Sequence, residues 1–486
     1  MNGRTSLALR LALLGFYATC YSSLFAQVTW RRTYGGFGSD DAQSVRQTTD
    51  GGYIISGSTG SFGGGSADAY VVRVDEFGDH LWSRTYGALG VEVSVACREL
   101  TDGFIIAGST SLGTNGSYDM MLIRTDELGN TLWEKNYGTA DWDLCRAIGV
   151  LPDGFVLGGI SYGAGSPAGS AYVVRTDLDG DTLWTKVLGG SLRTECSGLT
   201  VTDDQGLVLA GVQATASGYD DGFLTKLNAG GGEEWTTVLG SDSTDYLSSV
   251  VQTTGGDLIA CGGTRRQSTT LQIYVAKVFA DGALDWERYI GSGADAGGTE
   301  IRLDHNGGFV FTGYNSLNSG TRDMILTVTD GGGWFQFGNN YGDGEPADGY
   351  SIDPTFDGGF VVAGWCENYG PGLRAMYVVK TDGNGQTADL TIEPFLDPVG
   401  VNEPGIARTA QLFPNPIEPG GTLTVRTSMT GPLQFMLSDL QGRIVVQQFL
   451  AYPGQPVQIP VLANGIYDVA VISTGGDKAS TLLFVK

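Results

Sequence analysis

Tryptophan recurs in this chain at positions 30, 82, 133, 184, 235, 286 and 334. Five of the six intervals are 51 or 52 residues, and the last is 48. A glycine that closes an apolar run keeps step, at Gly57, Gly108, Gly159, Gly211, Gly262, Gly313 and Gly364. A basic residue keeps step too, at Arg73, Arg124, Arg175, Lys226, Lys277 and Lys380, and Thr327 breaks that series. A fixed period near fifty marks a repeat architecture, in which each unit buries its apolar face only against its neighbours.

Each unit reads as four strands. In the first they are Asp41–Gln47, Tyr53–Ser56, Tyr70–Val74 and Leu81–Tyr86. The first is polar and mixed, and the second and third are β-branched and aromatic, as suits strands packed on both faces. Asp-Gly or Asp-Gly-Gly joins the first two, a strong hairpin signal. Four strands per unit favour blades around an axis over a solenoid. The expected fold is therefore all-β: a seven-bladed β-propeller of four-stranded blades over residues 27–387. Glycine, at 77 of 486 residues, reads as turn glycine set among core-forming segments.

Trp30 stands outside the register, because no Asp-x-x-Gly turn precedes it. The last unit has that turn, at Asp382 and Gly385, but Asp389 where a tryptophan should follow. The strand from Val28 to Tyr34 is thus expected as the outer strand of the blade built by residues 346–387, closing the ring and leaving no open edge.

The turn itself has a pattern, Asp75-x-x-Gly78-x-x-x-Trp82, repeated at Asp126, Gly129 and Trp133 and at Asp177, Gly180 and Trp184; in the next unit Asn228 replaces the aspartate before Gly231 and Trp235. It resembles the tryptophan-docking motif of quinoprotein-type propellers. The resemblance implies a packing role for Trp30, Trp82, Trp133, Trp184, Trp235, Trp286 and Trp334, each wedged between neighbouring blades. No quinone-binding residues accompany it, so no quinone cofactor follows.

Twelve residues before the residue that opens the second strand, an acid recurs: Asp41, Glu92, Asp143, Glu195 and Asp348, with Asp245 in step if one residue is inserted. Gly297 holds that place in the sixth unit. Equivalent positions in a ring of blades form a ring, so six carboxylates are expected around one end of the channel. They either accept backbone N–H groups and tie blades together, or hold a hard cation such as calcium. A polar ligand such as a glycan is the third reading. No other cofactor is called for.

Asp177-Leu178-Asp179-Gly180-Asp181 has its glycine at the fourth place and no closing glutamate, so it reads as a hairpin turn rather than a calcium loop. Gly159-Ile160-Ser161-Tyr162-Gly163 matches a nucleophile elbow but runs into a glycine-rich loop rather than a helix. The two histidines, His80 and His305, fall on different connections of different units. No catalytic constellation emerges, although glycosidases with paired carboxylates also use propellers. Loops after the second strand, such as 58–67, 109–118 and 161–169, vary most and carry Phe62, Tyr118 and Tyr162. They are either permissive connections or the seat of a glycan or protein ligand.

A net charge of −25 repels phosphate backbones and excludes nucleic acid as a partner. Residues 1–26 read as a secretory signal: Arg4 and Arg10, then the apolar Leu11–Tyr17, then a cut before Gln27. Tyr17-Ala18-Thr19 before Cys20 lacks the leading aliphatic residue of a lipoprotein signal. No other run is long enough to span a membrane. Cys97, Cys145, Cys196, Cys261 and Cys366 have no metal spacing and read as buried small hydrophobes.

Residues 388–407, with Pro394, Pro398 and Pro404, read as a linker. Residues 408–486 carry about seven short alternating strands, a small Ig-like β-sandwich. Their markers are Phe413-Pro414-Asn415-Pro416, Asp439-x-x-Gly442-Arg443, Gly465-Ile466-Tyr467 and the terminal Lys486. Together these resemble the C-terminal sorting domain of the type IX (Por) secretion system of Bacteroidetes, with Asp468 the one departure. The resemblance implies the secretion machinery as a partner and delivery to the outer surface or the medium. The expectation is a secreted or surface-attached binding or adhesion module; a surface polysaccharide-active enzyme and a structural envelope protein are the alternatives.

Overall fold

The computed structural model describes residues 27–87, 89–115, 117–266, 268–291, 293–316, 321–370, 372–392, 410–414, 417–427, 433–438, 443–452, 455–463, 465–473 and 478–485. The signal segment and most of the linker lie outside them. The described residues are all-β. Up to residue 392 they form seven antiparallel sheets, in the manner of a β-propeller repeat fold.

Six sheets take four strands consecutively from the chain. The first is Asp40–Gln47, Tyr53–Thr59, Asp68–Val74 and His80–Tyr86. The next five open at Glu92, Asp143, Thr194, Asp245 and Ala296. The seventh has three strands of its own, Ala347–Pro354, Phe360–Glu367 and Arg374–Thr381. Its fourth is Trp30–Tyr34, antiparallel to the third with Trp30 opposite Lys380 and Tyr34 opposite Met376. Leu390–Ile392, expected in the linker, adds a fifth strand parallel to Arg31–Thr33.

The apolar residues gather between sheets rather than within one. Cores of buried side chains join the first sheet to the second, the second to the third and so on to the seventh. A further core joins the seventh to the first, where Val361, Ala363, Met376, Val378, Trp30 and Tyr34 meet Tyr53, Ile55, Tyr70 and Val72. Alternate residues of each middle strand thus serve alternate junctions, as the two-residue period of a strand requires.

One irregularity repeats in every sheet. The first strand carries a β-bulge, the extra residue being Gln43, Val95, Arg146, Ser197, Ser248, Thr299 or Tyr350. The bulge pushes a carbonyl at the second strand's glycine. A Cβ on Gly57 would lie 1.8 Å from the oxygen of Asp41, and one on Gly159 1.9 Å from that of Leu144. The recurrent closing glycines are therefore demanded by close backbone approach, not by a turn.

Docking between sheets follows the expected turn. Gly180 adopts a φ of 77°, and a Cβ there would strike Trp133 of the preceding sheet at 2.9 Å. Gly78, Gly129, Gly231, Gly282 and Gly333 stand in the same way against Trp30, Trp82, Trp184, Trp235 and Trp286. Trp334 does not follow. It sits in the turn itself, 61% exposed, under the guanidinium of Arg288 at 4.0 Å. Phe337 takes the docking place opposite Val328, against Gly385. That is 51 residues after Trp286, so the short last interval marks a change of residue, not of period.

The basic residue of the third strand pairs with the hairpin aspartate of its own sheet: Arg73 with Asp50, Arg124 with Asp102, Arg175 with Asp153, Lys226 with Asp204, Lys277 with Asp257 and Lys380 with Asp357. The sixth sheet loses both partners together, with Val328, rather than the expected Thr327, opposite the docked aromatic and Asn306 in the hairpin.

The tail forms two further sheets. Ala410–Phe413, Thr422–Thr427 and Pro456–Gln458 make one; Ile444–Leu450, Leu433–Ser438, Gly465–Ser473 and Lys478–Val485 make the other. Leu423 and Val425 of the first meet Phe435, Leu437, Val469 and Leu483 of the second in a single core. Pro414 and Arg443 are exposed at strand ends. Gly465 opens a strand in which Tyr467 is buried and donates its hydroxyl to the carbonyl of Ala463 at 2.9 Å. Asn415, Pro416, Gly442 and Lys486 lie outside the described residues.

Candidate functional site

The first strands of all seven sheets line one cavity of about 270 Å³, whose walls include Gln43, Val95, Arg146, Ser197, Ser248, Thr299 and Tyr350. These are the bulged residues, so the bulge turns one side chain from every sheet toward a common space.

The six acids expected as one ring divide into two sets at adjacent strand positions. Glu92, Asp143 and Asp245 are first-position residues, opposite Thr110, Ser161 and Thr264. Asp41, Glu195 and Asp348 are one residue further on, opposite Ser58, Val212 and Trp365. Adjacent strand residues point to opposite faces, so the sets cannot share a ring. For Glu92 and Asp143 the cause is the hairpin that follows; Asp245 is in step only by the supposed insertion, which its ordinary hairpin, Gln252 opposite Leu258, does not contain. Five sheets separate first and second strands as Gln47 and Tyr53 are separated; the second and third do so as Glu99 and Phe104, one residue shorter. Counting back from the second strand therefore lands one position early in those two.

The first set is inside. Glu92, Asp143 and Asp245 are buried, and Asp40, absent from the expectation, belongs with them. Asp40 accepts the N–H of Gly36 at 2.8 Å and the hydroxyl of Ser61 at 2.7 Å. Asp143 accepts the N–H of Thr139 at 2.6 Å, and Asp245 the hydroxyl of Ser241 at 2.6 Å. They fasten the loop that leads into their own strand.

The second set faces arginines. Asp41 lies 2.8 Å from Arg374 Nε, Asp348 3.1 Å from Arg322 Nε, and Glu195 2.8 Å from Arg146 Nε. Burial pushes the carboxyls of Asp41 and Asp348 up, against the pull of these arginines. Arg374 stacks 3.6 Å over Trp365 and Arg322 3.5 Å over Tyr314. Trp365 Nε1 donates to the hydroxyl of Tyr350 at 3.0 Å. The gap at Gly297 is filled: a Cβ there would meet the Tyr246 hydroxyl at 2.7 Å and the Tyr314 ring at 2.9 Å. The sixth sheet gives up its acid to admit two tyrosines.

Arg46, Arg98 and Arg302 also line the cavity. Glu300 accepts from Arg46 at 2.5 Å and pairs with Arg302 at 2.6 Å; it also accepts the Ser351 hydroxyl and the Ile352 N–H, both at 2.8 Å. Arg98 has no such partner: it donates to the carbonyl of Cys97 at 2.8 Å and to Ser44 Oγ at 3.3 Å. Burial and then Arg46 hold its guanidinium down, to about 10. Sequence reasoning missed these arginines, although they stand six or seven residues before the second strand in three units.

The remaining candidates do not assemble. Ser161 is fully buried and its Oγ accepts from Ala164 N–H at 3.0 Å. His305 lies against Phe360, and His80 opens an outer strand where burial pushes its imidazole down. Of the loop aromatics, Phe62 packs on Tyr70, Tyr118 on Trp142, and Tyr162 is exposed. The five cysteines among the described residues are buried and free, and burial raises Cys97 and Cys145 to about 12.

No family model matches the sequence, and no curated protein matches it. Among solved structures the chain is similar to the extracellular domain of a putative one-component system from B. thetaiotaomicron, at 10% identity and a TM-score of 0.41, over 92% of this chain and 57% of that one. It is similar to a fungal alcohol oxidase of the AA5 family in complex with copper, at 12% identity and 0.40, over 94% and 98%. It is similar to Sqt1 from Chaetomium thermophilum, at 11% and 0.41, over 73% and 98%. The chain spans 57% of the length of the first of these. Likeness this slight decides nothing about activity, and the fold rests on the strand order above.

Proposed function

We propose that residues 27–387 form a closed seven-bladed propeller that binds an acidic ligand through its central cavity, and that the type IX route carries the protein to the cell surface. Closure is supported by the core between the seventh and first sheets and by the pairing of Trp30–Tyr34 with Arg374–Thr381. A ring of seven junctions has no exposed edge to template aggregation.

The observation that carries the binding reading is Arg98. Four arginines line the cavity, Arg146 paired with Glu195 and Arg46 and Arg302 with Glu300 and Asp353, in a chain of net charge −25. Glu300 is already shared by Arg46 and Arg302, so Arg98 is left to recruit an anion. A carboxylate or sulfate group would take its planar fork bidentately.

A panel of acidic and neutral glycans tests the reading, with the full chain and its Arg98→Gln variant. Binding confined to carboxylated or sulfated members, and reduced at least tenfold by the substitution, is expected. Equal binding of neutral members, or an Arg98→Gln variant that binds as the parent does, overturns it. The export reading rests on the signal segment and on the Pro414, Arg443, Gly465 and Tyr467 pattern of the tail. Deleting residues 408–486 is expected to hold the protein in the periplasm, and undiminished surface display would remove that reading.

A further inference from the structure

Two carboxylates meet at the junction of the second and third sheets with no exposed surface on either. Asp119 opens the third strand of one sheet and Asp143 the first strand of the next. Asp119 Oδ2 accepts the N–H of Asn115 at 3.0 Å, and Asp143 Oδ2 accepts from Thr139, N–H at 2.6 Å and hydroxyl at 2.9 Å. Oδ1 of each is buried without a hydrogen-bond partner. Neither residue takes part in an ion pair among the described residues.

The two are close. A Cβ on Gly138 would lie 2.4 Å from Asp119 Oδ1 and 2.7 Å from Asp143 Oδ2, so both carboxylates reach one point. Burial, and then the charge of Asp143, push the Asp119 carboxyl up. Two buried like charges without a counter-charge are costly, and a cation or a shared proton must relieve them.

The arrangement recurs. Asp68 and Glu92 flank Gly87 at 2.6 and 2.4 Å at the first junction. Asp221 flanks Gly240 at the fourth, with Asp245 opening the next sheet and raising its carboxyl after desolvation. The third junction places Ser170 beside Thr194 and the fifth Gln272 beside Ala296, where the Thr194 and Ala296 N–H groups donate to the carbonyls of Gly169 and Leu271, and at the sixth a lone Asp323 stands beside Ala347. At five of the seven junctions acid faces acid or neutral faces neutral; the sixth and seventh carry one acid each, Asp323 and Asp40. Fastening a loop does not require a pair: Asp40 does it alone, at the junction where Ser39 bridges Arg374 and the third strand next offers Ala375. A paired acid is what a shared cation requires.

We infer that the Asp119–Asp143 junction binds a divalent cation of the calcium type, held by the two carboxylates with the Thr139 hydroxyl beside them. The donors are all oxygen, which selects a hard cation over zinc or copper. Among the described residues no group of three or more His, Cys, Asp or Glu side chains forms a metal cluster, so backbone carbonyls or water would complete the shell. The cation would cross-link neighbouring sheets and so act on stability rather than on the cavity.

The test uses the full chain, stripped with chelator and titrated calorimetrically with calcium chloride. The variants are Asp119→Asn/Asp143→Asn and, as a control away from the junction, Asp41→Asn/Asp348→Asn. Wild type and control are expected to bind calcium with the same stoichiometry and to melt higher with calcium than in chelator. The junction variant is expected to lose one binding equivalent while melting in chelator no lower than wild type, since the repulsion is gone. Terbium luminescence sensitised by Tyr172, which feels the charge of both carboxylates, and lost when calcium displaces the lanthanide provides a second readout on unmutated protein. An unchanged stoichiometry in the junction variant overturns the inference. So does an absence of calcium heat in wild type with stability that changes only with pH, which would assign the pair a shared proton.

Discussion

The hydroxyl of Tyr137 donates to the carbonyl of Gly180 at 2.6 Å, across the junction of the second and third sheets. Tyr34 reaches Gly78 at 2.7 Å, Tyr86 reaches Gly129 at 2.8 Å and Tyr341 reaches Gly385 at 2.9 Å in the same way. Each tyrosine stands four residues after the docked aromatic, so ring and hydroxyl grip the same turn. Gly180→Ala should cost about 2–3 kcal/mol, from a left-handed φ and from the clash with Trp133. Tyr137→Phe should cost about 1 kcal/mol, the value of one buried hydrogen bond. Chemical denaturation reads both, and equal effects would show that the turn glycine is not the constrained residue.

Phe337 and Trp334 should separate cleanly. Truncating Phe337, which packs between sheets, is expected to cost about 2 kcal/mol or more. Trp334→Ala removes only an exposed ring and its stacking with Arg288, and should cost about 1 kcal/mol or less. A larger loss at Trp334 would restore it as the docking residue.

The Arg175–Asp153 pair has a natural control in the sixth sheet. Asp153→Ala strands a buried guanidinium, but Asp153 is itself two-thirds exposed. The expected loss is about 1–2 kcal/mol, below that of a fully buried pair. The double variant Arg175→Val/Asp153→Asn copies Val328 and Asn306 and should recover most of it. A double variant as unstable as Asp153→Ala would mean the pair is worth more than its apolar replacement.

Acid should act on the sheets with opposite signs. Hydrogen bonds from Lys226 and then Thr202 hold the Asp204 carboxyl down at about 2. Its contribution is fully present above the ordinary aspartate value and is lost as pH falls toward about 2. Asp119 is shifted upward, so its folded form binds the proton more tightly and the cost of ionising it appears as pH rises. In chelator, Asp119→Asn should therefore gain stability near neutral pH and little at pH 3, while Lys226→Met should lose its deficit at low pH. Melting curves from pH 3 to 8 check both slopes.

The strands, their order and the place of Trp30 could be read from the period, because docking needs a large aromatic ring, a tight turn and a fixed spacing in every unit. The acid positions could not be read to the residue. Gln43 and its six equivalents are silent bulges, and the hairpins before Phe104 and Phe155 are one residue short, so a count from the second strand slips by one and crosses the strand. Gly57 gives no sign of whether it serves φ or the Asp41 carbonyl. Arg98 was missed because its role depends on which partners Arg46 and Arg302 take, and that depends on Glu300, some two hundred residues away. Asp119 and Asp143 belong to different units, so no pattern within one repeat brings them together.

The cavity exists only if the ring closes, and closure turns on one strand pair. Arg32 stands opposite Val378. Antiparallel partners have Cα atoms about 4.5–5.5 Å apart, within the reach of a disulfide. The five native cysteines of the propeller region are buried and do not compete. The decisive measurement is peptide mapping of the oxidised Arg32→Cys/Val378→Cys protein, taken from the monomer peak of a sizing column. Linkage of peptides containing positions 32 and 378 within a single monomer is the predicted result. No linkage, or linkage only between two chains, would contradict closure by the N-terminal strand.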